Sequence, residues 1–310
     1  MSPDVKDQYR LDQDGVEAIG NGYNTNETGV NKKKKRPYVL PLLLFIATLI
    51  STLFAGAMMQ GVDPVHSPAA LLKGVPFSFT LLLILGTHEF SHYFVSMRHG
   101  VSATLPYFLP SPFPLVGTFG AFIKMKSPIL NKKALIDIGI SGPIGGFIVS
   151  IIAVTVGLNL SIVVENGVNE GIKLGSPLIF EFLYRVIVGI PREGYDISLH
   201  PVAYAGWIGL FVTSLNLIPI GQLDGGHIAY AFFGAKQRVI SIAMIPVLLG
   251  LGFYGGWPGW YVWAMLASVL GVRHPPIMDP EVPLDNNHRL LGLAALIMFI
   301  ITFIPIPFSF

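Results

Sequence analysis

The run from Phe77 to Met97 is apolar and long enough to cross a bilayer, yet it carries Thr87-His88-Glu89-Phe90-Ser91-His92 in its second half. About 20 apolar residues in succession commit a chain to a helix, because only a helix or a closed barrel satisfies its own backbone hydrogen bonds in lipid. On that helix His88 and His92 differ by about 40° in rotation and stand roughly 6 Å apart along the axis, so both imidazoles present one face. This is the H-E-x-x-H spacing of a metal site, with Glu89 displaced around the helix to where it can hydrogen-bond a coordinated water as general base. A carboxylate at the centre of a spanning helix costs about 2.5 to 3.5 kcal/mol on insertion scales, so Glu89 between two histidines calls for a compensating partner.

The rest of the chain agrees with a membrane setting. With 52% hydrophobic residues and only 12% charged, the composition excludes an ordinary soluble domain. The predicted fold is an all-α polytopic membrane protein of six to seven transmembrane helices. Spans are expected at about residues 38–59, 77–97, 134–158, 201–222, 239–254, 257–272 and 290–308. The pair 239–272 is the least regular, since Gly255, Gly256, Pro258 and Gly259 leave a tight turn. Residues 1–37 read as a polar and then basic tail, too poor in large apolar side chains to offset its ordering entropy. Residues 38–310 read as an integral membrane domain with a core at about 77–231. If Lys32 to Arg36 is cytoplasmic and all seven spans cross, Arg98, Lys124, Lys132, Lys236 and Arg289 fall on the same side, as the positive-inside rule requires. The layout predicts a multi-pass protein of the cell membrane with a cytoplasmic amino terminus and the lipid bilayer as its surroundings. No nucleic-acid partner is expected, and the oligomeric state is open.

Two histidines do not complete a catalytic site of the zinc type, which takes three protein ligands and leaves a fourth position for water. The chain has no cysteine, so the third ligand is another histidine or a carboxylate. Two aspartates lie close to apolar spans. Asp137 follows Lys133 by four residues near the start of a span, which favours an ion-pair or helix-dipole role. Asp224 is the better choice. It ends Asn216-Leu217-Ile218-Pro219-Ile220-Gly221-Gln222-Leu223-Asp224-Gly225-Gly226, where Pro219 and Gly221 break the helix and the paired glycines allow close approach of another backbone. A broken helix at membrane depth is tolerated where it is buried in protein or lines a wet cavity.

The pairing of H-E-F-S-H at 88–92 with N-L-I-P-I-G-Q-L-D-G-G at 216–226 resembles the site-2 protease family of intramembrane zinc metalloproteases. The likeness extends through Gly117-Thr118-Phe119-Gly120-Ala121-Phe122 and Ser141-Gly142-Pro143-Ile144-Gly145-Gly146. It is greatest to the branch containing the plastid enzymes of plants and their prokaryotic relatives. The resemblance implies that His88, His92 and Asp224 hold one zinc ion and that Glu89 activates the water. It further implies that Asn216 hydrogen-bonds the substrate carbonyl or the developing oxyanion, and that the substrate is a single-span membrane protein cut in or near its transmembrane segment. A His2Asp set also accepts iron or cobalt. Rival readings are an ion or metal transporter, which would distribute ionisable groups along a path, and an inactive zinc-binding scaffold, which the intact Glu89 disfavours.

Residues 103–123 are apolar but punctuated by Pro106, Pro110, Pro112, Pro114, Gly117 and Gly120, which rules out a regular spanning helix. A re-entrant hairpin or loop between the second and third spans is expected, with the edge 117–122 available to pair with an extended substrate. His227 is either a neighbour of the metal ligands or part of a polar turn. His66, His99, His200, His274 and His288 read as ordinary surface residues. Trp257, Trp260, Tyr261 and Trp263 read as interfacial anchors.

Overall fold

The computed structural model describes residues 38–113, 115–165, 173–189 and 194–309. The expected amino-terminal tail, residues 1–37, lies outside them. Helix α1 (Val39–Met59) turns an apolar face outward, with Leu40, Leu43, Ile46 and Ile50 all more than 40% exposed. Such a surface is at home against acyl chains and costly in water. A 3-10 turn at Pro68–Gly74 then leads into α2 (Val75–Arg98). A β-carbon at Gly74 would collide with the Leu53 carbonyl of α1, so its absence lets these two helices nearly touch.

Between α2 and the next helix the chain forms a β-hairpin. Its strands, β1 (Tyr107–Pro110) and β2 (Thr118–Phe122), are antiparallel with Tyr107 opposite Phe122 and Leu109 opposite Gly120. The proline and glycine punctuation explains this: prolines are confined to strand ends and bulges, and the register shifts at Pro110. At the turn, Gly117 has φ +76° and its carbonyl accepts from Ser51 Oγ of α1 at 2.6 Å.

Helix α3 (Lys132–Asn159) is the hub of the bundle. Asn131 caps it by accepting from the Ala134 N–H at 3.0 Å. It packs against α2, against α5 (Pro201–Asn216), against α6 (Asp224–Phe233) and against α9 (Asn286–Thr302). Small residues make these crossings close, the usual device of helices packed in lipid. Gly157 lies on Ala203, and Gly206 lies on Val154 and Ser150. Along α5 an aromatic ladder, Tyr204, Trp207 and Phe211, stacks with centroids 5.8–5.9 Å apart, and Trp207 Nε1 donates to Gly175 O at 2.7 Å.

Residues between α3 and α5 form β3 (Ile162–Glu165), β4 (Lys173–Leu174), the amphipathic α4 (Leu178–Ile187) and β5 (Tyr195–Ser198). Strand β3 pairs with β5, and β4 pairs with β6 (Phe308–Ser309) near the carboxyl end. Among the described residues the fold is therefore mostly helical with three two-stranded sheets, where an all-α architecture with one re-entrant hairpin or loop was expected. The strands lie where proline, glycine and polar residues interrupt the apolar runs.

Among the described residues four helical stretches are long and apolar enough to cross a membrane: Val39–Met59, Pro68–Arg98, Lys132–Asn159 and Asp224–Gly255. The last joins α6 through a short 3-10 turn to α7 (Gln237–Gly255), so the span expected at 239–254 begins well before residue 239. The predicted spans at 201–222, 257–272 and 290–308 appear as α5, α8 (Gly259–Leu270) and α9, each 17 residues or shorter. At 1.5 Å per residue the 12 residues of α8 rise about 18 Å, short of a core about 30 Å thick. Trp260 also departs from expectation. It is fully buried and donates to Pro305 O at 2.7 Å instead of facing an interface.

Candidate metal centre

Helix α2 carries His88, Glu89 and His92 on its protein-facing side, where the three are 5–6% exposed. The two Nε2 atoms stand 3.1 Å apart. Asp224, the first residue of α6, completes the group: Oδ2 lies 3.2 Å from His88 Nε2 and Oδ1 lies 3.2 Å from His92 Nε2. Among the described residues this is the one group of three or more such side chains with ligand atoms mutually within 4.8 Å.

The dimensions fit a metal ion. Ligands about 2.0–2.1 Å from a tetrahedral centre are separated from one another by about 3.3–3.4 Å, close to the 3.1 Å between the imidazole nitrogens and the 3.2 Å from each nitrogen to one oxygen of Asp224. Ring chemistry agrees. His92 Nδ1 lies 2.7 Å from the Ile138 carbonyl of α3, so it must carry the proton and donate. The tautomer this fixes leaves the Nε2 lone pair facing the centre, the usual arrangement of a metal-ligating histidine. Ser141 Oγ donates to the same carbonyl at 2.8 Å and holds it in place.

The helix break that delivers Asp224 is stabilised from α7. Gly221, at φ +51°, donates its N–H to Ser241 Oγ at 3.0 Å, Ser241 Oγ donates to Pro219 O at 3.2 Å, and Gln237 Nε2 donates to Gly221 O at 3.3 Å. These buried side chains satisfy backbone groups that the break in the helix leaves without helical partners. A β-carbon at Gly225 would strike the Leu217 carbonyl, and one at Gly226 the carbonyls of Ile220 and Gly221. The glycine pair thus lets α6 start directly on the broken segment.

Asn216 ends α5 with Nδ2 3.3 Å from His88 Nε2, which brings it to the same centre. Glu89 Oε1 is 4.0 Å from His88 Nε2, beside the ligands but outside their triangle. The backbone of Ile123, just after β2, lies beside its carboxylate. All five residues singled out from the sequence therefore lie around one centre.

Asp137, the competing aspartate, is engaged elsewhere. It accepts from His99 Nε2 at 2.9 Å and lies 3.5 Å from His288 Nε2. Lys133, its expected partner, instead pairs with Asp285 at 2.9 Å. Asp285 also caps α9 and accepts from His288 Nδ1 at 2.6 Å. So His99 and His288 bind helix ends together, where surface positions were expected. His200 caps α5 by accepting from the Val202 N–H at 3.3 Å. His274 pairs with His227 at 2.6 Å.

Read along the chain, the small residues of α3 had no role beyond their family likeness. A β-carbon at Gly142 would overlap the His92 ring, one at Gly145 would lie 2.5 Å from Ser91 Oγ, and one at Gly146 would lie 3.1 Å from His88 Nδ1. The glycine spacing of 142, 145 and 146 is a helix-contact signal, but its partner helix is visible only in the folded chain.

Helices long and apolar enough to cross a membrane thus accompany a buried group of two histidines and an aspartate able to hold a metal ion, with a glutamate beside it. The profile of Peptidase family M50 matches residues 76–253, more than half of the chain. The chain belongs to that family, in keeping with the site-2 protease resemblance of its motifs. Among curated proteins it is similar to "Probable zinc metalloprotease EGY2, chloroplastic" of Arabidopsis thaliana, at 31% identity over 77% of this chain and 43% of that protein. It is similar also to "Probable zinc metalloprotease EGY1, chloroplastic" of the same plant, at 29% identity over 87% of this chain and 53% of the relative. A rice relative (Oryza sativa subsp. japonica), "Probable zinc metalloprotease EGY3, chloroplastic", is 30% identical over 74% of this chain and 42% of its own length. The chain thus spans about half the length of these relatives or less. No solved structure matches.

Proposed function

We propose that this protein is an intramembrane zinc metalloprotease that hydrolyses a peptide bond in or near the transmembrane segment of a single-span substrate. The observation that carries the reading is the convergence of His88 Nε2 and His92 Nε2, 3.1 Å apart, on the Asp224 carboxylate, each 3.2 Å from one of its two oxygens, with a buried glutamate beside them. His88, His92 and Asp224 would hold the zinc, which when bound lowers the pKa of a coordinated water toward about 7 and polarises a carbonyl. Glu89 acts as general base: it takes the proton of the attacking water onto its carboxylate and returns it to the leaving amine. Asn216 donates from Nδ2 to the oxyanion that develops on the scissile carbonyl, a contribution of about 100-fold to 1000-fold where such donors have been removed elsewhere. Ile138 and Ser141 keep His92 in the ligating tautomer throughout.

A peptide bond inside a helix is shielded by its own hydrogen bonds, so the substrate must be extended before it reaches the centre. Strand β2 pairs on one side with β1, and its other edge has no strand partner among the described residues. That edge, with Ile123 following it beside Glu89, supports strand addition as the way the extended substrate is held. Shortening the 117–122 edge with zinc retained should abolish cleavage; wild-type rates would remove the hairpin from the mechanism. We read the chain as crossing the membrane six to seven times with its amino terminus in the cytoplasm, residues 38–310 forming the protease domain. Labelling of introduced cysteines from each side tests this, and an externally labelled position before Val39 would reverse the orientation.

The decisive test is zinc content together with cleavage of a single-span substrate by wild type and Glu89→Gln. The variant should keep its metal and lose cleavage. Equal cleavage by both would eliminate this mechanism.

A further inference from the structure

The ligand Asp224 enters the centre on the first turn of α6, and that turn has little of its own to hold it. Gly225 and Gly226 carry no side chains, so His227 is the first residue after Asp224 able to anchor the turn. On one side its Cβ packs on Gly139 of α3, where an added β-carbon would come within 3.1 Å. On the other side its Nδ1 lies 2.6 Å from Nε2 of His274, in the loop that follows α8. The His274 ring also stacks on Tyr230, one turn further along α6, with centroids 4.3 Å apart and planes 22° from parallel.

The proton positions in this pair follow from its far end. His274 Nδ1 lies 2.6 Å from the Pro275 carbonyl, which can only accept, so Nδ1 carries the proton and donates. Neutral His274 then offers Nε2 as a lone pair, and His227 must donate from Nδ1–H. Burial pushes the His274 imidazole below its ordinary value, which favours that neutral form. The same loop touches the broken segment as well: a β-carbon at Gly221 would strike the Gly271 carbonyl. Both His274 and Gly271 lie beyond residues 76–253, the part of the chain that matches the family profile.

We infer that His274 is a positioning residue for the metal centre, fixing Asp224 through His227, and that the segment after α8 is thereby a working part of the site. The inference rests on the metal-binding reading above. Partners of metal ligands, when removed, typically cost about tenfold to 100-fold in metal affinity, and His274 acts at one further remove through the rigid first turn of α6.

The test uses the full chain in detergent, with zinc and cobalt(II) as probes. His274→Ala should weaken zinc retention against a chelator about tenfold and alter the visible spectrum of the cobalt form. His274→Gln, whose Oε1 can accept from His227 and whose amide can donate to Pro275 O, should restore both to near wild type. His227→Ala should match His274→Ala, and the double variant should be no worse than either, because one hydrogen bond is lost in each case. A His274→Ala protein with wild-type zinc retention and cobalt spectrum overturns the inference. So does a loss that His274→Gln fails to repair, which would report only a loosened loop. Wild-type protein that binds no zinc would instead refute the metal-site reading itself.

Discussion

Replacing Gly142 by alanine adds one methyl group to α3 at the place where it faces His92. The new carbon would lie 2.6 Å from Cε1 of the imidazole and closer still to Nε2 and Cδ2. Non-bonded carbons rest about 3.5–4.0 Å apart, so the ring or the helix must yield by about 1 Å. Metal–ligand distances tolerate about 0.2 Å. The ring cannot turn aside cheaply, because its Nδ1 is committed to the Ile138 carbonyl at 2.7 Å. Nor can α3 withdraw alone, because Gly145 and Gly146 hold it against Ser91 and His88 of the same helix. The expected outcome is a folded protein that has lost one of three ligands, with zinc affinity and cleavage both down at least about 100-fold. Two companion variants calibrate the effect. Gly146→Ala, whose β-carbon meets His88 Nδ1 at 3.1 Å, should lose less, and Gly86→Ala, with nothing within 4 Å, should behave as wild type. Zinc analysis of purified protein and cleavage of a single-span substrate provide the readouts, with thermal unfolding as control. A Gly142→Ala protein with full zinc and full activity would show that α3 does not set the position of His92.

Asn216→Ala should keep zinc and lower kcat about 100-fold to 1000-fold; a change confined to KM would assign Asn216 to ground-state binding. Ser241→Ala leaves the Gly221 N–H and the Pro219 carbonyl without the partner they share, and the unfolding midpoint in detergent should report a loss of about 1–3 kcal/mol. An unchanged midpoint would mean that another group takes over. Hydrogen bonds from His288, and after it from Lys133, hold the Asp285 carboxyl below the usual carboxylate range. Because its folded value is lowered, its contribution is fully present above the unfolded value near pH 4 and is lost as pH falls through the folded one. Docking of α9, followed by a fluorescent label on that helix, should therefore be insensitive to this carboxyl between pH 8 and 5, while Asp285→Asn weakens docking across that range.

Much of the architecture was legible because membrane insertion is a local matter. Apolar length alone marked α1, α2 and α3 to within two residues at most ends, since each helix closes its own hydrogen bonds. The shorter helices were less legible. Helices α5, α8 and α9 end earlier than their apolar runs, where proline, glycine or a packed neighbour stops them. The hairpin was foreseeable from prolines that forbid a helix, but its register was not, because pairing depends on where the strands rest against α1 and α2. His99, His274 and His288 illustrate the opposite limit. His99 and His288 meet Asp137 of α3, and His274 meets His227 of α6, so their long-range partners were not visible in the residues beside them along the chain.

The spacing of four between His88 and His92 is a property of one helix, and helical geometry alone brings their imidazoles together. Sequence also supplied the break at Pro219 and Gly221, a consequence of backbone chemistry at those residues. Only the tertiary structure decided that Asp224 and Asn216 would close the group, Asn216 meeting His88 across 128 positions of chain. That meeting depends on α3 being narrow at Gly139, Gly142 and Gly146, so that α2 and α6 can approach from two sides. Contacts between distant segments are set by shape and packing, which a linear pattern of residues encodes but does not display.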